Sequence, residues 1–123
     1  MTSQLAEKVA HLPERFEETE CSTARLLAET GYLDRPQDLK VEDLEEALAR
    51  EPALTEAWLD RGHDQRLAGG WGIECEGESY HVQSFDGGGE LVMRNRVRAT
   101  AEFAVRYLSV IAAVMRHQRG PRA

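Results

Sequence analysis

The 123-residue sequence predicts an α+β domain: two to four N-terminal helices, a three-stranded antiparallel meander, and one long C-terminal helix packed on the sheet. Three observations predict it. Apolar residues recur at steps of three and four as far as about residue 62. From Trp71 the period falls to two, and after Asn95 it returns to three and four. Short strands joined by tight glycine turns pair antiparallel, which leaves one face to bury and one to wet.

The first helical stripe is Leu5, Val9, Leu12 and Phe16, interrupted by Pro13. Proline removes a backbone donor, so the stripe is either one kinked helix or two short ones, with Pro13 in the first turn of the second. The pattern resumes through Thr19, Thr23, Leu26 and Leu27, and Gly31 stands where a left-handed C-terminal cap belongs, with Tyr32 and Leu33 placed to fold back. After a loop at 34–40 marked by Pro36, a second helix starts near Val41 with Leu44, Ala47 and Leu48 on its apolar face. Glu42, Asp43, Glu45 and Glu46 crowd its first turns, where the helix dipole favours negative charge. Pro52 ends it and starts the next helix, with Leu54, Ala57, Trp58 and Arg61 as its face and Gly62 as its expected terminator.

In the strand region Trp71, Ile73 and Cys75 alternate with Gly72, Glu74 and Glu76, and Tyr80, Val82 and Ser84 alternate with His81, Gln83 and Phe85. Turns are expected at Gly77-Glu78 and at Gly87 to Gly89, with a third strand over 91–93 and Cys75 facing the core. Asn95 is a good N-cap for the last helix, whose stripe is Val97, Ala101, Ala104, Leu108, Ile111 and Met115. Phe103, Val105, Val110, Ala112 and Val114 widen that stripe beyond what one sheet covers. The other side then needs the N-terminal helices, or a second copy of the chain in a homo-oligomer. The domain thus reads as an acidic helical half (1–62), a connector (63–70), a sheet (71–94), a helix (95–118) and a disordered tail (119–123).

Charge is divided unequally. Residues 1–60 carry 15 acidic and 6 basic side chains, whereas residues 61–123 carry 7 acidic and 9 basic, for a net of −7. The acidic half opposes nonspecific nucleic-acid binding, which needs clustered lysine and arginine. Residues 1–20 lack a basic start followed by an apolar run, and the stretch 103–115 is too short for a membrane span, so a cytoplasmic chain without membrane association is expected. Two cysteines, Cys21 and Cys75, make no disulfide framework.

No constellation reaches a catalytic mechanism. The histidines His11, His63, His81 and His117 show no i, i+4 pairing with another histidine or a cysteine, so neither metal nor cofactor is expected. Ser79 and Ser84 lie outside any nucleophile-elbow pattern, and no glycine group precedes a helix carrying the lysine of a phosphate-binding loop. Two features stand out as binding candidates. The connector holds Asp64 and Arg66 ahead of Trp71; the two can pair, with Arg66 stacked on Trp58 or Trp71 as a structural latch, or serve as a binding loop. Arg96 and Arg98 sit in the first turn of the last helix, against its dipole. The acidic half can neutralise them internally; the alternative is an anion site at the helix N-terminus.

The run from Trp58 through Asp64-Gln65-Arg66 and Gly70-Trp71, then Tyr80-His81-Val82, then Ala99-Thr100-Ala101-Glu102-Phe103, resembles small bacterial α+β proteins. Some of those are similar to immunity or accessory proteins of toxin systems. The resemblance spans about residues 58–107 and implies a non-enzymatic cytosolic role; for an immunity protein, the acidic half suits neutralising a basic partner. The expectation is a protein-interaction module with Glu42, Asp43, Glu45 and Glu46 steering the encounter. A small-molecule binder or enzyme using the connector and Arg96/Arg98 is the alternative, and a nucleic-acid accessory protein using the basic C-terminal helix the third.

Overall fold

The computed structural model describes residues 4–14, 23–63, 71–84 and 89–119. Helix α1 spans Gln4–Ala10 and α2 spans Thr23–Glu29; a 3-10 turn at Pro36–Asp38 leads to α3 (Val41–Arg50) and α4 (Pro52–His63). Strands β1 (Trp71–Glu76), β2 (Ser79–Ser84) and β3 (Glu90–Met93) follow, then α5 (Arg96–Arg119). The strand order is β1-β2-β3 with both pairings antiparallel, so the chain is α+β with its long last helix on the sheet.

Pro13 separates two helical segments. Helix α1 stops at Ala10, His11 is a turn, and residues 12–14 are helical again. The Glu14 amide donates to the His11 carbonyl (3.1 Å) instead of the Ala10 carbonyl. Gly31 takes φ +86, as the cap required, and Tyr32 behind it is buried. Thr30 secures this end: its hydroxyl donates to the Leu27 carbonyl (2.6 Å) and accepts from the Tyr32 amide (3.1 Å). Pro52 opens α4, and the buried Thr55 hydroxyl donates back to the Leu48 carbonyl of α3 (3.2 Å). Helix α4 does not stop at Gly62 but runs one residue further, to His63.

The core lies between the helices and one sheet face. Trp58 meets Phe103 and Tyr107 of α5 edge-on, with centroids 6.4 and 6.1 Å away, and those two rings stack at 5.7 Å. Ile73 pairs with Val82, and Val82 with Leu91, so the inner face lies in register across all three strands. Helix α5 buries Ala99, Ala101, Phe103, Ala104, Tyr107, Leu108 and Ala112. Helices α3 and α4 pack on it as well as the sheet, while Val105, Val110 and Ile111 of the wide stripe stay half-buried. The side chain of Val114 lies outside the described residues.

Cys75 corrects one expectation. It is on the inner-face register, opposite Tyr80, yet it is exposed, with its thiol 3.5 Å from the Gly77 carbonyl. Burial in β1 ends at Ile73, and Glu74, Cys75 and Glu76 are all exposed. Alternation sets the face a strand residue points to, but not whether anything covers it. The expected tail starts inside α5, which reaches Arg119. Among the described residues no helix is long and apolar enough to cross a membrane.

Candidate functional site

Arg96 and Arg98 are already neutralised from within the fold. Asn95 caps α5 as expected, its side-chain oxygen accepting from the Arg98 amide at 3.0 Å. The Arg96 guanidinium donates to Glu56 of α4. Arg98 reaches α3, with Nη1 3.1 Å from Glu45 and Nη2 4.0 Å from Glu42, and its Nε is 3.7 Å from Glu102. The hydrogen bond to Glu56 raises the Arg96 pKa above the ordinary arginine value against desolvation, and the bond to Glu45 does the same for Arg98. Two cations thus sit in the first turn of α5 because carboxylates of α3 and α4 meet them there. Arginines so engaged are poorly placed to receive an external anion.

The expected acidic cluster divides by facing. Glu42 and Glu45 turn toward Arg98, while Asp43 lines a separate shallow recess of about 380 Å³ with Gln4, Leu5, Arg35, Asp38 and Lys40. Glu46 is exposed. Trp71 carries a stacked arginine, but from an unexpected position: the Arg106 guanidinium lies 5.6 Å from its ring centroid. Arg106 Nη1 also donates to the Glu102 carbonyl and carboxylate, both at 3.0 Å. Glu45, Arg98, Glu102, Arg106 and Trp71 therefore form a continuous ladder from α3 along α5 to the sheet. Its sequence signal is the i, i+4 spacing of Arg98, Glu102 and Arg106. Asp64 and Arg66 lie outside the described residues. Trp58 is wholly buried, edge-on to Phe103 and Tyr107.

The surface that sequence reasoning passed over is the outer face of the sheet. The register places Gly72, Glu74 and Glu76 of β1, His81 and Gln83 of β2, and Glu90 and Val92 of β3 on this face. Glu74, Glu76 and Glu90 are exposed, as is Glu78 in the hairpin turn, where Gly77 at φ +64 lets the two strands close on two residues. His81 joins the three strands, with Nε2 3.3 Å from Glu76 and Nδ1 3.4 Å from Glu90. Val92 is 54% exposed, the one large apolar side chain left open among the described residues. The polar half of each strand's alternation was visible in the sequence; the exposure of Glu74, Glu76, Glu90 and Val92 was not.

A second grouping surrounds the break in α1. His11 Nδ1 is 3.1 Å from Glu14, and its Nε2 is 3.6 Å from Glu51, the residue between α3 and α4. Glu7, next along α1, pairs with Arg50. On the other side His11, with Glu7, Lys8, Leu12, Leu26, Glu29 and Thr30, borders a recess of about 410 Å³. The i, i+3 spacing of His11 and Glu14 was legible; the approach of Glu51 comes from the fold.

Comparison with known proteins finds no matching family model, curated protein or solved structure.

Proposed function

We propose that this chain is a non-catalytic protein-interaction module that docks a basic segment of a partner protein on the outer face of its sheet. The observation that carries this reading is the exposed Val92 set among the exposed Glu74, Glu76 and Glu90 on the outer face of the sheet. An open apolar contact within a charged surround is the anatomy of a docking patch, and its sign selects a cationic partner. The acidic helical half adds attraction at longer range. An immunity-like inhibitor acting in the cytoplasm is the form of this reading that the sequence resemblance favours.

The competing readings have less support. Arg96 and Arg98 already hold carboxylates, which weighs against an anion-binding enzyme built on them. The acidic sheet face would repel nucleic acid. Self-association through α5 has less apolar surface to bury where α3 and α4 already pack on that helix.

The test is a nuclear magnetic resonance titration with a peptide rich in lysine and arginine, and an acidic peptide as control. Shifts should map to Glu74, His81, Glu90 and Val92, weaken as salt rises, and vanish in the E74Q/E76Q/E90Q variant. Shifts centred on α3, or kept in that variant, would overturn the assignment of the face.

A further inference from the structure

We propose that His11, Glu14 and Glu51 form a binding site for a divalent transition-metal ion of the zinc class. The first argument is convergence. One potential ligand atom from each residue lies within 4.8 Å of the other two, and no other such trio occurs among the described residues. Zinc takes imidazole nitrogen and carboxylate oxygen at about 2.0–2.2 Å, which sets neighbouring ligands roughly 3.3 Å apart. His11 and Glu14 are already at that spacing, at 3.1 Å. The two glutamates are about half exposed, so torsional rotation can bring both oxygens inward and water can complete the coordination.

His81 shows what separates this trio from an ordinary surface ion pair. It too lies between two glutamates, 3.3 and 3.4 Å from opposite ring nitrogens as at His11, but its three donor atoms do not all lie within 4.8 Å of one another. At His11 the donors come from two chain breaks, the turn after α1 and the corner between α3 and α4. Those breaks are held together on either side of the trio. The Trp58 indole donates to the Ala10 carbonyl at 3.2 Å, and Arg50 is bound to Glu7. The second contact also occupies Arg50, the sequence neighbour of Glu51. Two carboxylates balance a dication, and a mixed nitrogen and oxygen donor set favours zinc or cobalt over calcium or magnesium, which take oxygen ligands. An ion here clamps the end of α1 to the α3–α4 corner, so binding is coupled to stability.

The site is tested on chelator-treated protein at neutral pH by calorimetric titration with Zn²⁺ and by visible absorption with Co²⁺. One saturable site per chain is expected, together with a rise in melting temperature on adding Zn²⁺. H11A and E51A should each weaken Zn²⁺ affinity by about tenfold or more, since loss of a mere supporting contact around a metal costs that much. H81A should bind as the wild type does. Circular dichroism checks that each variant is folded; Glu51 is exposed, so E51A carries the test if H11A does not fold. No saturable binding by the wild type, unchanged affinity in the folded variants, or loss of the site in H81A would overturn the proposal.

Discussion

The indole of Trp58 donates a hydrogen bond to the carbonyl of Ala10, 48 residues earlier, at 3.2 Å. This contact repairs a local fault. After Ala10 the helix breaks ahead of Pro13, and the Glu14 amide that would have met the Ala10 carbonyl donates to His11. A buried carbonyl without a partner is costly, and Trp58 supplies the partner while filling the centre of the core.

Replacing Trp58 by Phe keeps an aromatic ring but removes the donor. The loss should be about 1–3 kcal/mol, the cost of a buried acceptor left unmet, measured by urea denaturation. Trp58→Ala adds a cavity and should cost about 3–5 kcal/mol. If W58F matches the wild type, the Ala10 carbonyl has another partner.

Leu108 is fully buried, on the helix that both the sheet and the N-terminal helices cover. Leu108→Ala should therefore cost about 2–5 kcal/mol in the same measurement. A change below about 1 kcal/mol would mean that the apolar face of α5 has been assigned to the wrong side.

Two charge-removing variants should behave differently. Changing Glu42, Asp43, Glu45 and Glu46 to Gln strips Arg98 of its α3 partners and removes favourable charge from the start of α3. Its melting temperature should fall, with about 0.2–1 kcal/mol lost per exposed pair. E74Q/E76Q/E90Q should stay within about 0.5 kcal/mol of the wild type, since these side chains face solvent. Binding to a basic peptide should show the reverse order, with the larger loss in the sheet variant. The pH dependence has a definite sign. The Arg98 pKa is raised by its bond to Glu45, so its contribution is fully present below the unfolded arginine value and is lost only as pH rises through the higher folded one. Arg98→Ala should thus lower stability by the same amount from neutral to mildly alkaline pH.

Cys75 is free and exposed at the hairpin end. A thiol reagent should modify it in the native protein without denaturant, and Cys75→Ser should change stability by no more than about 0.5 kcal/mol. Protection until unfolding would return Cys75 to the core, where alternation alone had placed it.

Periodicity and punctuation determined the architecture of this protein. The step from a period near four to a period of two at Trp71 reflects which side chains can share a face, and that is a local property of the backbone. Pro13, Gly31, Pro52 and Asn95 likewise act through their own donors, side chains or dihedral freedom, so their effects were legible one residue at a time. The candidate sites were less so. The sequence offered Arg96 and Arg98 as charges awaiting a ligand, but only the packing of α3 and α4 on α5 put Glu45 and Glu56 beside them. Strand alternation gave the facing of Glu74, His81, Glu90 and Cys75, whereas coverage depends on where helices far along the chain come to rest. The approach of Glu51 to His11 likewise joins two chain breaks 40 residues apart. Exposure and ion pairing between distant segments are properties of the folded arrangement, so the tertiary structure alone decided which charges were consumed inside the fold and which were left facing outward.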